Sequence, residues 1–362
     1  MKRVLHIVGR MDRAGAETMI MNLYREIDHS RYQFDFVYFT DDSCDFDEEI
    51  NSLGGVIYKI PTKNLFKRFW LLNRLAADNS WHAVHVHTLF SGSLHLLSVK
   101  LAGATIRVAH AHSAGDSNNK SYLRGIYQRF SKWLYRRVAT DYLACGEAAA
   151  TFLFPKESNV IILPNAIDLK KFIQARKACL RQELNLRNGQ IIILHLARFT
   201  PVKNHRFSLK IAADLKSLGI EFKFLLTGIG PELNRIKQLV EKNNLSKEIE
   251  FLGARSDIAN LMKSSDVLIL PSFYEGFPVV LVEAQASGLP SVVSTRISPE
   301  VDMGMGLVDF VDLDDPVRHW VDRIIDRANC DAAIVAEQRF NILSSRGFSS
   351  QKIAEKLMML YD

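Results

Sequence analysis

Short apolar runs alternate with longer amphipathic stretches almost from one end of the chain to the other. The short runs read as buried strands: Arg3–Val8, Gln33–Phe39, Val56–Ile60, Ala83–His87, Ile106–Ala111, Tyr142–Cys145 and Val160–Leu163. The pattern restarts near Gln190 with Ile191–Leu196, Phe222–Leu226, Ile249–Leu252, Val267–Leu270 and Ser291–Ser294. Helical stretches such as Pro201–Leu218 and Pro231–Asn244 lie between them. A last helix follows Gly347 over Ser349–Tyr361, with Ser349 or Ser350 as its cap. Strand–helix alternation of this kind predicts an α/β chain with mostly parallel sheets covered on both faces.

Pro164-Asn165-Ala166-Ile167-Asp168 is a turn signal between the two sets of strands. We therefore expect one Rossmann-like domain over 1–168 and a second over 169–345, with 346–362 as a closing helix. Two doubly wound domains are expected to face a central cleft, with ligands held at the carboxyl ends of their strands.

Composition narrows the class further. A chain of 362 residues with 48% apolar and 24% charged residues is globular and long enough for two cores. Cys44, Cys145, Cys179 and Cys330 form no C-x-x-C pair, so neither a zinc knuckle nor a redox motif is expected, and a reducing cytosol suits them. The first apolar run, Val4 to Val8, stops at Gly9-Arg10-Met11-Asp12. That is too short for a signal core, and no run approaches the ~20 apolar residues that span a bilayer. A cytoplasmic protein is expected. The net charge of +6 and pI near 9.0 fit an acidic partner: nucleic acid, anionic lipid or a diphosphate. No nucleic-acid module is recognisable, so that partner is not expected.

The chemistry concentrates where strands give way to helices. After Val267–Leu270 comes Pro271-Ser272-Phe273-Tyr274-Glu275-Gly276-Phe277-Pro278, and a helix is expected to begin at Pro278 or Val279. Gly276 permits a tight turn, and free amides at the helix start can bind phosphate. Glu283 follows Val279-Val280-Leu281-Val282. A carboxylate in so apolar a helix needs a partner, either ribose hydroxyls or a buried arginine or backbone amide. Arg198 and Lys203 flank the next junction, Leu196 to Asn204, as a diphosphate clamp or as a solvated basic loop. Thr227-Gly228-Ile229-Gly230-Pro231 is either a close backbone approach to a ligand or a plain tight turn.

In the first half, Arg10-Met11-Asp12-Arg13-Ala14-Gly15-Ala16-Glu17 is a candidate phosphate or acceptor loop. It does not match G-x-G-x-x-G, so a nicotinamide site is not supported. His112 closes the run His110-Ala111-His112-Ser113, and is either a sugar contact or a structural histidine; His85 and His87 carry less weight. Asp45-Phe46-Asp47 and Asp312-Leu313-Asp314 are D-x-D triplets. Neither is expected to follow a core strand, so both read as solvated surface.

Arg198 with Lys203, and Glu275 to Glu283 as E-x-x-x-x-x-x-x-E, resemble the GT4 family of retaining glycosyltransferases with the GT-B fold. Gly15-Ala16-Glu17 is similar to the family's G-G-x-E loop, with Ala14 in place of the first glycine. Pro164 to Asp168 is similar to its P-N-G-[IV]-D hinge, with Ala166 in place of glycine. The likeness spans nearly the whole chain and is greatest to bacterial capsule and exopolysaccharide enzymes. It implies a closing helix packed back on the first domain and transfer of a sugar from a UDP-hexose or UDP-N-acetylhexosamine to a glycan or lipid-linked acceptor. It places Arg198, Lys203, Gly15, Gly276 and Phe277 at the donor diphosphate, and Glu283, Gly228 and Gly230 at the nucleoside. Glu275 and His112 fall at the sugar. With Arg198 and Lys203 present, no metal or other cofactor is expected. A sugar-nucleotide epimerase of the same fold, or a non-catalytic partner subunit, is the alternative.

Lys120–Val138 carries Lys120, Arg124, Arg129, Lys132, Arg136 and Arg137 and no acidic residue. Leu123, Ile126, Phe130, Leu134 and Val138 form one stripe, and Lys63–Arg74 is a second basic, aromatic segment. Such helices either rest on the anionic inner face of a membrane or pack on the sheet as ordinary amphipathic helices.

Overall fold

The computed structural model describes residues 1–113, 115, 122–155, 159–176, 180–184, 186–187, 189–275, 277–329 and 334–362. They form two compact units, Met1–Ala166 with Gly347–Asp362, and Ile167–Arg346.

The first unit holds β1 (Lys2–Gly9), β2 (Tyr32–Tyr38), β3 (Ile57–Lys59), β4 (Ala83–Val86), β5 (Ile106–Ala111), β6 (Asp141–Ala144) and β7 (Val160–Ile162). All neighbours are parallel, in the order β3-β2-β1-β4-β5-β6-β7. Parallel strands joined by helices are covered on both faces, which explains their continuous apolar runs rather than strict alternation. Helices Gly15–Glu26 and Ser350–Tyr361 cover one face through Met19, Ile20, Leu23, Ile353, Leu357 and Tyr361. Helices Leu65–Asp78, Gly92–Leu101 and Tyr122–Val138 cover the other through Leu72, Leu96, Val99 and Leu134. Ser349 caps the closing helix by accepting from the Lys352 amide.

The second unit holds β8 (Ile191–Leu196), β9 (Phe222–Thr227), β10 (Ile249–Gly253), β11 (Val267–Leu270), β12 (Ser291–Ser294) and β13 (Val308–Val311). Its parallel order is β10-β9-β8-β11-β12-β13. Helices His205–Ser217, Leu233–Lys242 and Val317–Ala328 bury Phe207, Ile211, Ile236, Val240, Trp320 and Ile324 against it.

Two expectations need correction. The helix expected over Pro201–Leu218 is a 3-10 turn, Pro201–Lys203, followed by the helix His205–Ser217. Asn204 breaks it by taking a left-handed backbone (φ 55°), an arrangement that asparagine tolerates. The expected strands also lack β13, a four-residue edge strand carrying Asp309; the second D-x-D triplet comes directly after it, at the sheet edge and not after a core strand. Asp312 accepts from Thr295 Oγ1 (3.0 Å) and the Asp314 amide (2.9 Å), and Asp314 pairs with Arg296. In the first triplet, Asp45 is exposed and accepts from the Arg13 amide (2.9 Å), bracing the loop after β1.

Each sheet reverses its build direction beside its first strand. β1 sits between β2 and β4, and β8 between β9 and β11. Loops leaving the carboxyl ends of strands at such a switch point diverge and leave room for a ligand.

Candidate active site

In the second unit the switch-point loops are 197–204, after β8, and 271–278, after β11. They are stitched together. Phe273 N donates to Val202 O (2.9 Å), and Asn204 Nδ2 donates to Pro271 O (3.0 Å). The left-handed turn at Asn204 aims its amide at that carbonyl. Across the seam Lys203 Nζ donates to Glu275 Oε1, which also accepts from Ser272 Oγ (3.0 Å). Both charged side chains keep part of their surface open. Arg198, in the same loop, is exposed, and its side chain makes no hydrogen bond or ion pair with a described residue.

Gly228 and Gly230 brace this loop from β9. Phe199 N donates to Ile229 O (2.9 Å), and Glu232 N donates to Phe199 O (2.9 Å). A Cβ on Gly228 would stand 2.2 Å from Ala197 O, and one on Gly230 2.5 Å from Phe199 O, with φ of +139° and +155°. Close approach of two backbones therefore requires both glycines before any ligand is considered.

Glu283 lies in the helix Val279–Ser287, for which Pro278 is the N-cap. The same helix carries a second polar residue, Gln285, and the contrast is informative. Gln285 is fully buried and satisfied: Nε2 donates to Leu281 O (3.0 Å) and Val301 O (2.8 Å), and Oε1 accepts from Met303 N (3.0 Å). Glu283 is largely buried, and its side chain has no hydrogen-bond or ion-pair partner among the described residues. Burial raises its carboxyl to about 7, and the charge of Lys171 opposes that rise. No buried arginine or amide pairs with it, so its carboxylate is available to hydroxyl donors.

Phe277 is half-buried at the start of this segment, and Gly276 lies outside the described residues. In the first unit Gly15 opens the helix Gly15–Glu26 after β1, and a Cβ there would meet nothing within 4 Å. His112 follows β5. Burial lowers its imidazole to about 4, so the ring is neutral near pH 7.

Three positions escaped the sequence. Ser272 and Asn204 lie inside the quoted segments, but their roles appear only once the two loops are paired. Lys171 comes three residues after Asp168, on the helix Leu169–Ile173 that packs against Val279–Ser287. Only that packing brings its charge to Glu283.

Residues 13–171 match the Glycosyltransferase Family 4 domain, and residues 177–303 match the Glycosyl transferases group 1 domain. EpsF of Bacillus subtilis, assigned to the glycosyltransferases, is 39% identical over 379 aligned residues, covering 100% of this chain and 96% of that protein. The Escherichia coli UDP-Gal:alpha-D-GlcNAc-diphosphoundecaprenol alpha-1,3-galactosyltransferase is 30% identical over 62% of this chain and 60% of its own. In fold, the chain is similar to HepE of Anabaena, solved with UDP and glucose, with a TM-score of 0.78, 18% identity and 99% coverage of both chains. The chain belongs to the family of glycosyltransferases that joins these two domains on a GT-B fold.

Proposed function

We propose that the protein is a retaining glycosyltransferase of bacterial surface-polysaccharide synthesis, moving a hexosyl or N-acetylhexosaminyl group from a UDP-sugar to a glycan or lipid-linked acceptor. The observation that carries this reading is the pairing of Lys203 with Glu275 across two stitched switch-point loops. Breaking a glycosyl–phosphate bond leaves negative charge on the diphosphate. Arg198, Lys203 and the amides of Gly276 and Phe277 are assigned to stabilise it without a metal. Gly15 offers backbone to the phosphates. Glu283 accepts from the ribose hydroxyls, with Gly228 and Gly230 at the nucleoside. Glu275, released from Lys203, and neutral His112 serve the sugar.

The UDP and lipid-linked parts draw on the names of the E. coli relative and of the HepE complexes. A thermal-shift screen against UDP-, GDP- and ADP-sugars should single out a UDP-sugar. Product analysis with a sugar-diphosphate-lipid acceptor should then show transfer with the anomeric configuration kept. Donor conversion that needs no acceptor would instead mark an epimerase.

An anionic membrane is the proposed docking surface for the first unit. In the helix Tyr122–Val138 the expected apolar stripe divides. Leu134 and Val138 are buried, while Leu123, Ile126 and Phe130 are exposed together with Tyr122 and Trp133. Leu65, Phe66 and Trp70 stand out from the helix Leu65–Asp78, and the helix Gly92–Leu101 packs between the two. Basic side chains flank both groups; Lys120 lies outside the described residues. No described helix is long and apolar enough to cross a membrane, so the contact would be peripheral. Phosphatidylglycerol vesicles at low salt should pellet the protein, and Trp70→Ser with Trp133→Ser should reduce the bound fraction severalfold. Equal pelleting with neutral vesicles would overturn the electrostatic part.

A further inference from the structure

The first unit carries five imidazoles where β1, β4 and β5 lie side by side: His6, His85, His87, His110 and His112. The reaction proposed above uses one of them, His112. His110 is 3% exposed, and neither of its ring nitrogens has a partner; His112 Nδ1 is likewise buried and unpartnered. Buried polar atoms are nearly always satisfied, so the orphaned nitrogens of this cluster, five with His6 Nε2 and His85 Nε2, call for an explanation.

His87, His110 and His112 each present a ring nitrogen, and these all lie within 4.8 Å of one another. Their centroids are 4.0, 5.0 and 5.4 Å apart. Three nitrogens around a tetrahedral ion with bonds of about 2.0–2.1 Å stand about 3.4 Å apart. His87 Nδ1 and His112 Nε2 are 2.7 Å apart, so a small opening admits an ion. His87 Nε2 is 3.0 Å from His6 Nδ1. A metal-bound imidazole characteristically donates its other N–H to a neighbour of this kind, which fixes its tautomer. A second trio, His6, His85 and His87, is less suited. His6 and His85 are 1% exposed, and Tyr361 Oη already engages His85 Nδ1 (2.6 Å). His87 and His112 keep some surface, and so leave the first trio a route for entry.

We propose that His87, His110 and His112 form a binding site for one divalent transition-metal ion of the Zn2+ and Co2+ class. Nitrogen ligands with no carboxylate select this class over Mg2+ or Mn2+. Burial keeps all three rings neutral at pH 7, the state a ligand needs. His87 binds through Nδ1 with its proton on Nε2 toward His6. His112 binds through Nε2, and the proton that lies between this atom and His87 Nδ1 in the ligand-free cluster shifts to His112 Nδ1, so no proton is lost. The fourth position is left for water. Resting on the reading that gives His112 a part in transfer, the bound ion withdraws that ring and inhibits the enzyme reversibly.

The test titrates untagged, metal-stripped full chain with Co2+. The expected result is the visible absorption of four-coordinate Co2+ saturating at one ion per chain, bleached by Zn2+ and untouched by millimolar Mg2+. His110→Phe and His87→Gln should each weaken binding at least roughly tenfold to a hundredfold, while His319→Ala, in the second unit, leaves it unchanged. Two variants are used so that a melting curve can qualify at least one as folded. No saturable band, or a band that survives in both folded variants, overturns the site. Zn2+ should also slow transfer until a chelator is added. A Co2+ band with transfer undisturbed by Zn2+ keeps the site and removes His112 from the reaction.

Discussion

Lys203→Ala is expected to lower kcat/KM by about a hundred- to a thousandfold, the cost typical of removing one preorganised group from a developing oxyanion. In the ligand-free protein Lys203 is held by Glu275, so its ammonium is fixed before a donor arrives. That pairing places the cation without spending it, because the diphosphate can exchange for the Glu275 carboxylate. Glu275 keeps Ser272 Oγ as a donor when the lysine is gone. The stitching between Asn204 and Pro271 and between Phe273 and Val202 does not use the Lys203 side chain and survives. The melting temperature should therefore move little, since a partly exposed pair contributes about 1 kcal/mol or less. Lys203→Arg should recover only part of the rate, because a planar fork does not replace a point charge. Initial rates with a UDP-sugar, together with a melting curve, decide it. A rate within about threefold of wild type in a folded Lys203→Ala protein would take Lys203 out of diphosphate binding.

Much of this was legible in the residues themselves. The strands Ile106–Ala111, Ile191–Leu196, Val267–Leu270 and Ser291–Ser294 lie where the apolar runs place them, because burial on both faces gives an uninterrupted signal. β13 was missed because an edge strand of four residues with Asp309 inside it has half that signal. The break at Asn204 was hidden for another reason. Helical periodicity runs on through the sequence, and what stops the helix is a bond from Asn204 to a loop sixty-seven residues away. The histidine cluster shows the same limit more sharply. His85 with His87, and His110 with His112, are H-x-H pairs, and period two puts each pair on one face of its strand. That His6 joins them depends on β1, β4 and β5 being neighbours, which is a property of the sheet order and not of any one segment. Arg198, Glu275 and Glu283 were findable because each sits beside a strand end or in an apolar helix where its type is out of place. Lys171 was not, since a lysine in a charged segment has nothing unusual about it.

Glu283→Gln should make the ligand-free protein more stable above pH 7 while weakening donor binding. Burial raises the Glu283 carboxyl from 4.5 to about 7 in the folded chain. The folded state therefore holds a proton that the unfolded state has released, and stability falls as pH rises from about 4.5 to about 7. Above pH 7 the full loss is present. A shift of this size corresponds to about 3 kcal/mol, and partial exposure brings the expected effect nearer 2 kcal/mol. Glutamine of the same shape removes it, so the variant should melt several degrees higher at pH 8 and about equally at pH 4. Donor binding should respond in the opposite sense. Two ribose hydroxyls need an acceptor with free lone pairs, which the carboxylate supplies and a carboxamide supplies on one atom only. Loss of a charge-assisted bond of about 1.5–3 kcal/mol predicts donor affinity lower by about ten- to a hundredfold. In the wild type, affinity should climb with pH through about 7 as the carboxyl ionises, whereas the variant should show no such rise. Calorimetric titration with UDP between pH 6 and 8 measures both. Unchanged affinity in the variant, or a flat wild-type profile, would return Glu283 to a structural role, and its missing partner would then have no explanation in the donor.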